Sequence, residues 1–148
     1  MTSPDLAALL EELYRDKQAL YDRHVEGARH VSAYEFNNTY QYIVNRETAH
    51  LTWIRTALEG AGGQVPQQVT PLALPGGKGR DRERAIIDDD GRQLEAFHQK
   101  WAPRVADVSH ARHQIMLRVI LGETLEYKRF VDQMKEGRED VLGRRMAG

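Results

Sequence analysis

Apolar residues recur every three to four positions along most of the chain, which is the period of an amphipathic α-helix. The first segment of this kind opens at Asp5, and the second begins near Ala33 and ends at Gly60. A third resumes after Arg80, and the apolar positions of the fourth end at Met134. None of the four segments is apolar all round, so each must bury one face against the others. The pattern predicts four packed helices.

Capping residues mark some of the predicted helix ends. Ser32 and Glu35 stand at the spacing of a capping box, in which the two side chains satisfy free backbone N–H groups at a helix start. This predicts the start of the second helix. Asp107 or Ser109 is the candidate cap of the fourth helix, and Pro103 before them predicts a break or kink.

The stretch between the second and third helices is rich in helix breakers. Pro66, Pro71 and Pro75 lie in it together with several glycines, so no helix is expected there. Long connections of this kind occur in four-helix bundles that have one long crossover. We therefore predict an all-α, antiparallel four-helix bundle over residues 1–137, with a long crossover between helices two and three. Residues 138–148, which are charged and contain glycine, are predicted to form a mobile tail.

Composition narrows the possible functions. A chain of 148 residues fits one domain, and 21 basic against 22 acidic residues give a net charge of −1, which argues against nucleic-acid binding through a basic face. The absence of cysteine excludes disulfides, iron–sulfur clusters and thiol catalysis. No apolar run reaches the ~18 residues that a membrane span needs, and the N-terminus lacks the pattern of a signal peptide. A cytoplasmic protein without a membrane or nucleic-acid partner is expected.

Two glutamates fall on the apolar faces of their helices. Glu47 shares its face with Ile43 and Ile54, and Glu123 lies between Ile120 and Phe130. An offset of 76 residues superposes helix two on helix four and brings Glu47 onto Glu123, which suggests an internal repeat. A buried carboxylate costs several kcal/mol unless a positive group compensates it. The sequence therefore predicts cations beside both glutamates.

Bound metal ions are one source of that positive charge. His50 follows Glu47 by three residues, Glu126 follows Glu123 by three, and helix three carries Glu95 and His98 at the same spacing, which places each pair on one face a turn apart. Inward acids with such pairs form the metal centres of some four-helix bundles. The candidate metal ligands are Glu47, His50, Glu95, His98, Glu123 and Glu126.

The segments Glu47-Thr48-Ala49-His50 and Glu123-Thr124-Leu125-Glu126 resemble those of the ferritin-like superfamily, most closely small rubrerythrin-type bundles. The resemblance implies two iron or manganese ions bridged by Glu47 and Glu123, used for oxygen or peroxide chemistry or for iron handling. Such a protein would be a di-metal oxidoreductase or an iron-binding protein. Two positions depart from the family pattern: Glu126 stands where the family has a histidine, and the family's bridging glutamate of helix one falls near Tyr14.

A metal-free arrangement is the alternative. Lys17 on helix one is placed to reach both Glu47 and Glu123, and a protonated His24 would add a second positive charge. The bundle would then be a structural or interaction module rather than an enzyme.

Two further groups of residues have open interpretations. Trp53 and Trp101 are either anchors of a homodimer contact, the oligomer expected here, or ordinary packing residues. His110 and His113 form a polar cluster at a helix start, a patch that faces a partner, or a second metal site.

Overall fold

Four long helices make up the protein in the computed structural model, which describes residues 3–67, 70–138 and 141–142, without the side chains of residues 3 and 4. The helices are α1 (Ser3–His30), α2 (Tyr34–Gly60), α3 (Gly79–Ala106) and α4 (Ala111–Lys135). At 1.5 Å per residue each helix is about 40 Å long. No strand occurs among the described residues. The predicted all-α four-helix bundle is confirmed.

Packing between the helices defines which of them face each other. α1 packs most closely against α2, and α3 against α4, while α1 also contacts α3 and α2 contacts α4. α1 and α4 therefore lie across the bundle from each other, as do α2 and α3. The core between them contains the large buried side chains of Tyr40, Trp101 and Tyr127 together with many leucines and isoleucines.

The start of α2 is stabilised by a tertiary contact instead of the predicted capping box. The N-cap residue is Ala33, which makes no side-chain cap. Both the backbone N–H and the hydroxyl of Ser32 donate to Oε1 of Glu83 on α3. The capping-box prediction is wrong because a carboxylate from a neighbouring helix takes the place of Glu35.

The ends of α3 and α4 also differ from the sequence interpretation. α3 continues past Pro103 to Ala106, and Asp107 is its C-cap rather than the cap of α4. Pro103 has no N–H to donate to the carbonyl of Gln99, yet the helix continues for three more residues. α4 begins after His110, which makes no side-chain cap, so neither Asp107 nor Ser109 caps it.

The buried face of α4 is rotated relative to the prediction. The residues that face the core are Leu117, Ile120, Leu121, Thr124, Tyr127, Phe130, Val131 and Met134. Val119 is 45% exposed. Glu123 lies at the edge of the bundle, although the sequence predicted it in the core. In this phase Thr124, not Glu123, occupies the core position that corresponds to Glu47.

The connection and the tail are only partly described. The described residues between α2 and α3 contain no helix, in agreement with the breakers found there. Of the predicted tail 138–148, residues 139–140 and 143–148 lie outside the described residues. Val141 is nevertheless buried, and Leu142 packs against the core.

None of the described helices is long and apolar enough to cross a membrane.

Candidate functional site: a buried charge network

Glu47 is the centre of a group of charged side chains in the core. Its side chain is fully buried, and each of its oxygens is taken by a cation from α1. The Lys17 ammonium donates to Oε2 at 3.1 Å, and His24 Nδ1 lies 2.5 Å from Oε1. Lys17 and His24 are seven residues apart and therefore share one helix face. Lys17 and His24, on the buried face of α1, thus both contact the Glu47 carboxylate of α2.

His24 carries the network on to α3. Its Nε2 forms an ion pair with Oδ1 of the buried Asp90 at 2.9 Å. The second oxygen of Asp90 accepts a hydrogen bond from the Tyr40 hydroxyl at 3.1 Å. Arg23 beside His24 pairs with Asp89 and lies 3.7 Å from Asp90. The imidazole is therefore held between two carboxylates, one from α2 and one from α3.

Lys17 extends the network to α4. Its ammonium donates to Thr124 Oγ1 at 3.4 Å, while the Thr124 hydroxyl itself donates to the Ile120 carbonyl at 2.7 Å. The ammonium also lies 5.5 Å from the centre of the Phe97 ring, within the range of a cation–π contact. Contacts of this network join both pairs of helices that lie across the bundle from each other, α1 to α4 and α2 to α3.

The charges of this group balance. We call it the charge network; its ionic members are Lys17, Arg23, His24, Glu47, Asp89 and Asp90. With His24 protonated, three positive charges face three negative charges. Buried charges are tolerated when they are paired with opposite charges, as these are. The pair between His24 Nε2 and Asp90 Oδ1 is an ion pair without hydrogen-bond geometry.

The pKa values agree with a charged network. Burial by itself lowers the pKa of His24, but the Asp90 and Glu47 carboxylates outweigh it and raise this pKa to about 10. For Glu47, burial raises the pKa, but His24 and Lys17 outweigh it and lower the value to about 2. At neutral pH both side chains are therefore ionised inside the core.

Glu123 belongs to a second, separate cluster at the edge of the bundle. Its side chain is 25% exposed and is held by Arg46, whose Nε and Nη2 donate to Oε1 at 2.9 and 2.5 Å. The buried His50 lies between the rings of Trp53 and Tyr127, with Nε2 2.8 Å from Glu123 Oε2. Lys17 contacts Thr124 rather than Glu123, so the predicted ion pair between Lys17 and Glu123 is wrong.

His50 is the uncharged member of this second cluster. Burial and the nearby charge of Lys17 lower its pKa to about 4, although Glu123 acts in the opposite direction. For Glu123, burial raises the pKa, but His50 and Arg46 outweigh it and lower the value below its usual range. At neutral pH the cluster consists of a neutral imidazole beside a carboxylate that an arginine compensates.

The other predicted metal ligands, Glu95, His98 and Glu126, are more exposed than Glu47 and His50. Glu95 is half-exposed, accepts a hydrogen bond from Gln99 at 2.9 Å and lies 3.6 Å from the Lys128 ammonium. His98 and Glu126 are partly exposed on α3 and α4. Within the described ranges, no three histidine or acidic side chains are grouped so that they could hold a metal ion.

Sequence reasoning missed the α3 part of the charge network. Asp90 ends an acidic run and lies three residues after Ile87 and four before Leu94, on the same helix face. This is the signal that drew attention to Glu47, a carboxylate at a core position. It could have identified Asp90 as well. Arg46 was missed because it does not lie at a core position of α2. Its neighbour Glu47 does, and only such positions were considered.

The two tryptophans have different environments. Trp101 is fully buried and donates to Asp16 at 2.8 Å, so of the two roles that the sequence left open, ordinary packing is the one it has. Trp53 is partly buried and lines a surface groove between α2 and α4. The His110 and His113 rings lie 4.5 Å apart near the start of α4, and His113 borders the same groove.

Comparison with known proteins gives no relative for this arrangement. No model of a protein family matches the sequence, and neither the curated proteins nor the solved structures contain a match.

Proposed function

We propose that this chain is a structural or interaction module whose core is held together by a metal-free network of charges. The observation that carries the proposal is the surroundings of Glu47. Both of its oxygens already have cationic partners, Lys17 and His24, and all three side chains are fully buried. The positive charge that the sequence requires beside this glutamate is therefore supplied by the chain itself.

The donor set around Glu47 suits an ion pair better than a pair of metal ions. A protonated lysine has no lone pair to offer a metal, and its charge repels a cation at the position where it stands. The network is also neutral already, so a divalent ion would leave two uncompensated positive charges in the core. The geometry thus supports a scaffold role over an oxidoreductase role.

The di-iron or di-manganese centre stays a prediction, and one observation favours it. His50 Nδ1 and the Tyr127 hydroxyl are buried without a hydrogen-bond partner among the described residues. Buried polar atoms normally have hydrogen-bond partners, so these two atoms have an unused capacity to bind a ligand near His50. A metal there would have to draw in Glu126 or Glu47 from their present positions.

Metal content and thermal stability distinguish the two functions. The purified protein is analysed by native mass spectrometry and elemental analysis, and its thermal midpoint is measured with chelator and with added Fe²⁺, Mn²⁺ or Zn²⁺. We expect no stoichiometric metal and no shift of the midpoint. Two bound ions per chain, lost on chelation with a lower midpoint, would overturn the proposal and support the di-metal centre.

A pair of variants on α2 sharpens this test. Glu47→Gln removes the central carboxylate, whereas Glu59→Gln changes an exposed glutamate of the same helix and is the control. We expect Glu47→Gln to lower the thermal midpoint without altering metal content, and Glu59→Gln to change neither. A loss of bound metal in Glu47→Gln alone would identify this residue as a ligand.

A further inference from the structure

A surface groove lies between the C-terminal half of α2 and the N-terminal half of α4. Its volume is about 660 Å³, and small-molecule sites have volumes of about 300–1,000 Å³. Trp53, Ala57 and Gly60 line it from α2 at spacings of three and four residues, which is one helix face. The side chains on this face become smaller toward the end of α2, and a Cβ atom built on Gly60 would meet nothing within 4 Å. The groove is the space that these small residues leave open.

Much of the groove wall is apolar. Met116 and Val119 line it from α4, and Val119 is 45% exposed. The Trp53 ring is held by two neighbours: the His50 ring centre lies 5.6 Å and the Arg46 guanidinium carbon 5.8 Å from the centre of the Trp53 ring. A fixed aromatic ring beside exposed aliphatic side chains is a surface on which the apolar part of a ligand can pack.

The ionisable side chains that line this groove are basic. They are Arg112 and His113, and the His110 ring lies 4.5 Å from the His113 ring. Within the described part of the chain, no carboxylate pairs with any of these three side chains, and the buried Nδ1 of His113 has no hydrogen-bond partner. Burial, His110 and Arg112 together lower the pKa of His113. The basic groups at this end of the groove are therefore uncompensated.

The start of α4 adds to this positive potential. A helix N-terminus carries about half a positive charge and favours acidic side chains nearby. The first turn of α4 contains no acidic residue, and its N-cap His110 makes no side-chain cap. Arg112 and His113 thus add basic groups where the helix itself is already positive. A bound anion would be attracted by these side chains and by the helix end together.

We propose that this groove binds an amphipathic organic carboxylate, a small molecule with an apolar chain or ring and one terminal carboxylate. Its apolar part lies against Trp53 and Val119, and its carboxylate lies at Arg112 and His113. Arg112 and Val119 are seven residues apart, so the two parts of the site are separated by about 10 Å along α4.

The size of the groove favours a small molecule over a protein partner. Eight residues line it, whereas a stable protein interface has about 20–30 residues on each side. The site shares no residue with the charge network. It goes beyond the scaffold role proposed above and does not depend on the metal content of the core.

Three probes with the same apolar chain test the charge preference. Decanoate, decan-1-ol and decyltrimethylammonium are titrated into the full chain below their micelle concentrations, and binding is followed by calorimetry and tryptophan fluorescence. We expect saturable binding of one decanoate per chain, weaker binding of the alcohol and the weakest binding of the ammonium. Decanoate should change the emission of Trp53, and Trp53→Phe should abolish that change, because Trp101 is fully buried.

Two variants locate the two parts of the site. Arg112→Gln should weaken decanoate binding about fivefold, as expected for the loss of an exposed ion pair, and should leave the binding of the alcohol unchanged. Arg118→Gln is the matched control, because Arg118 is an exposed arginine of the same helix that does not line the groove. Ala57→Leu fills the open space and should abolish the binding of both decanoate and decan-1-ol, while circular dichroism shows an unchanged helical content.

The following results would overturn the proposal. They are decanoate binding that does not saturate, equal affinities for the three probes, or a decanoate affinity that neither Arg112→Gln nor Ala57→Leu alters. Light scattering at the same protein concentration detects a different occupant. A mass of twice 17.0 kDa that falls to one chain in Ala57→Leu would show that a second copy covers the groove, against the proposal.

Discussion

Replacing Lys17 with methionine tests the central contact of the core. The change keeps an unbranched side chain, one atom shorter, but removes the ammonium that lies 3.1 Å from Glu47 and 3.4 Å from Thr124. The charge network then carries one net negative charge inside the protein. Removing one partner of a buried pair costs about 3–5 kcal/mol, because the other charge is left uncompensated. His24 still contacts Glu47, so we expect the lower part of that range.

A double-mutant cycle separates the pair from the effect of either side chain alone. Glu47→Gln leaves Lys17 buried without its carboxylate and should be destabilising by a similar amount. Lys17→Met with Glu47→Gln removes one charge of each sign, so Arg23 and a protonated His24 still balance Asp89 and Asp90. We therefore expect the double variant to be at least as stable as either single variant. If the two side chains acted independently, the losses of the two single variants would add instead.

Urea unfolding measures these differences. The free energy of unfolding is extrapolated from the midpoint and the slope, and an unchanged slope shows that compactness is unaltered. Lys100→Met is the matched control, since Lys100 is 43% exposed and bridges Glu12 and Asp16 at the surface. Exposed pairs contribute about 0–1 kcal/mol. If Lys17→Met costs no more than Lys100→Met, or if the two core substitutions simply add, the reasoning is refuted.

Three other substitutions test the remaining parts of the two clusters. Because the pKa of His24 is about 10 in the folded state, its contribution is complete below pH 6.5 and is lost as the pH rises through 10. We expect His24→Gln to flatten an alkaline decline that is otherwise ~1.4 kcal/mol per pH unit in urea unfolding. The pKa of His50 is about 4 in the folded state, so between pH 6.5 and 4 the unfolded chain binds a proton that the folded chain does not. The free energy of unfolding therefore falls as the pH drops through this range. His50→Gln should remove this acid-side loss, and an unchanged profile would contradict the buried neutral imidazole. Tyr40→Phe removes a hydrogen bond to the charged Asp90 and should lower the free energy of unfolding by about 1–3 kcal/mol. An unchanged free energy of unfolding would show that Asp90 does not need this hydrogen bond.

Hydrophobic periodicity predicted the number and type of the elements well because long amphipathic helices repeat their signal over many turns. Glu47 was correctly placed in the core for the same reason. Glu123 was misplaced because the prediction drew the apolar face through Ile120 and Phe130 alone. The buried face of α4 also includes Leu117, Leu121 and Val131, which shift its centre away from Glu123. A rotation of about 100°, one residue, moved this glutamate from the core to the edge.

Helix caps and ion pairs could not be read from the sequence in the same way. Ser32 binds Glu83, a residue fifty-one positions away, instead of its local partner Glu35. Lys17 was considered, but its second contact is Thr124 because only the packed helices determine which side chain it meets. Such pairings depend on distances between elements, whereas the sequence reports only spacing within one element.

The charge network also bears on why the core retains charges at all. Apolar residues of similar volume are often as stabilising as a buried ion pair, so stability alone does not account for it. Contacts between apolar side chains are not directional, so a paired charge specifies the rotation of a helix more sharply than they do. One and the same rotation of α1 brings Lys17 to Glu47 and Thr124 and brings His24 to Asp90. The charges would therefore fix the relative phase of all four helices, and this in turn determines which residues α4 presents on its outer face.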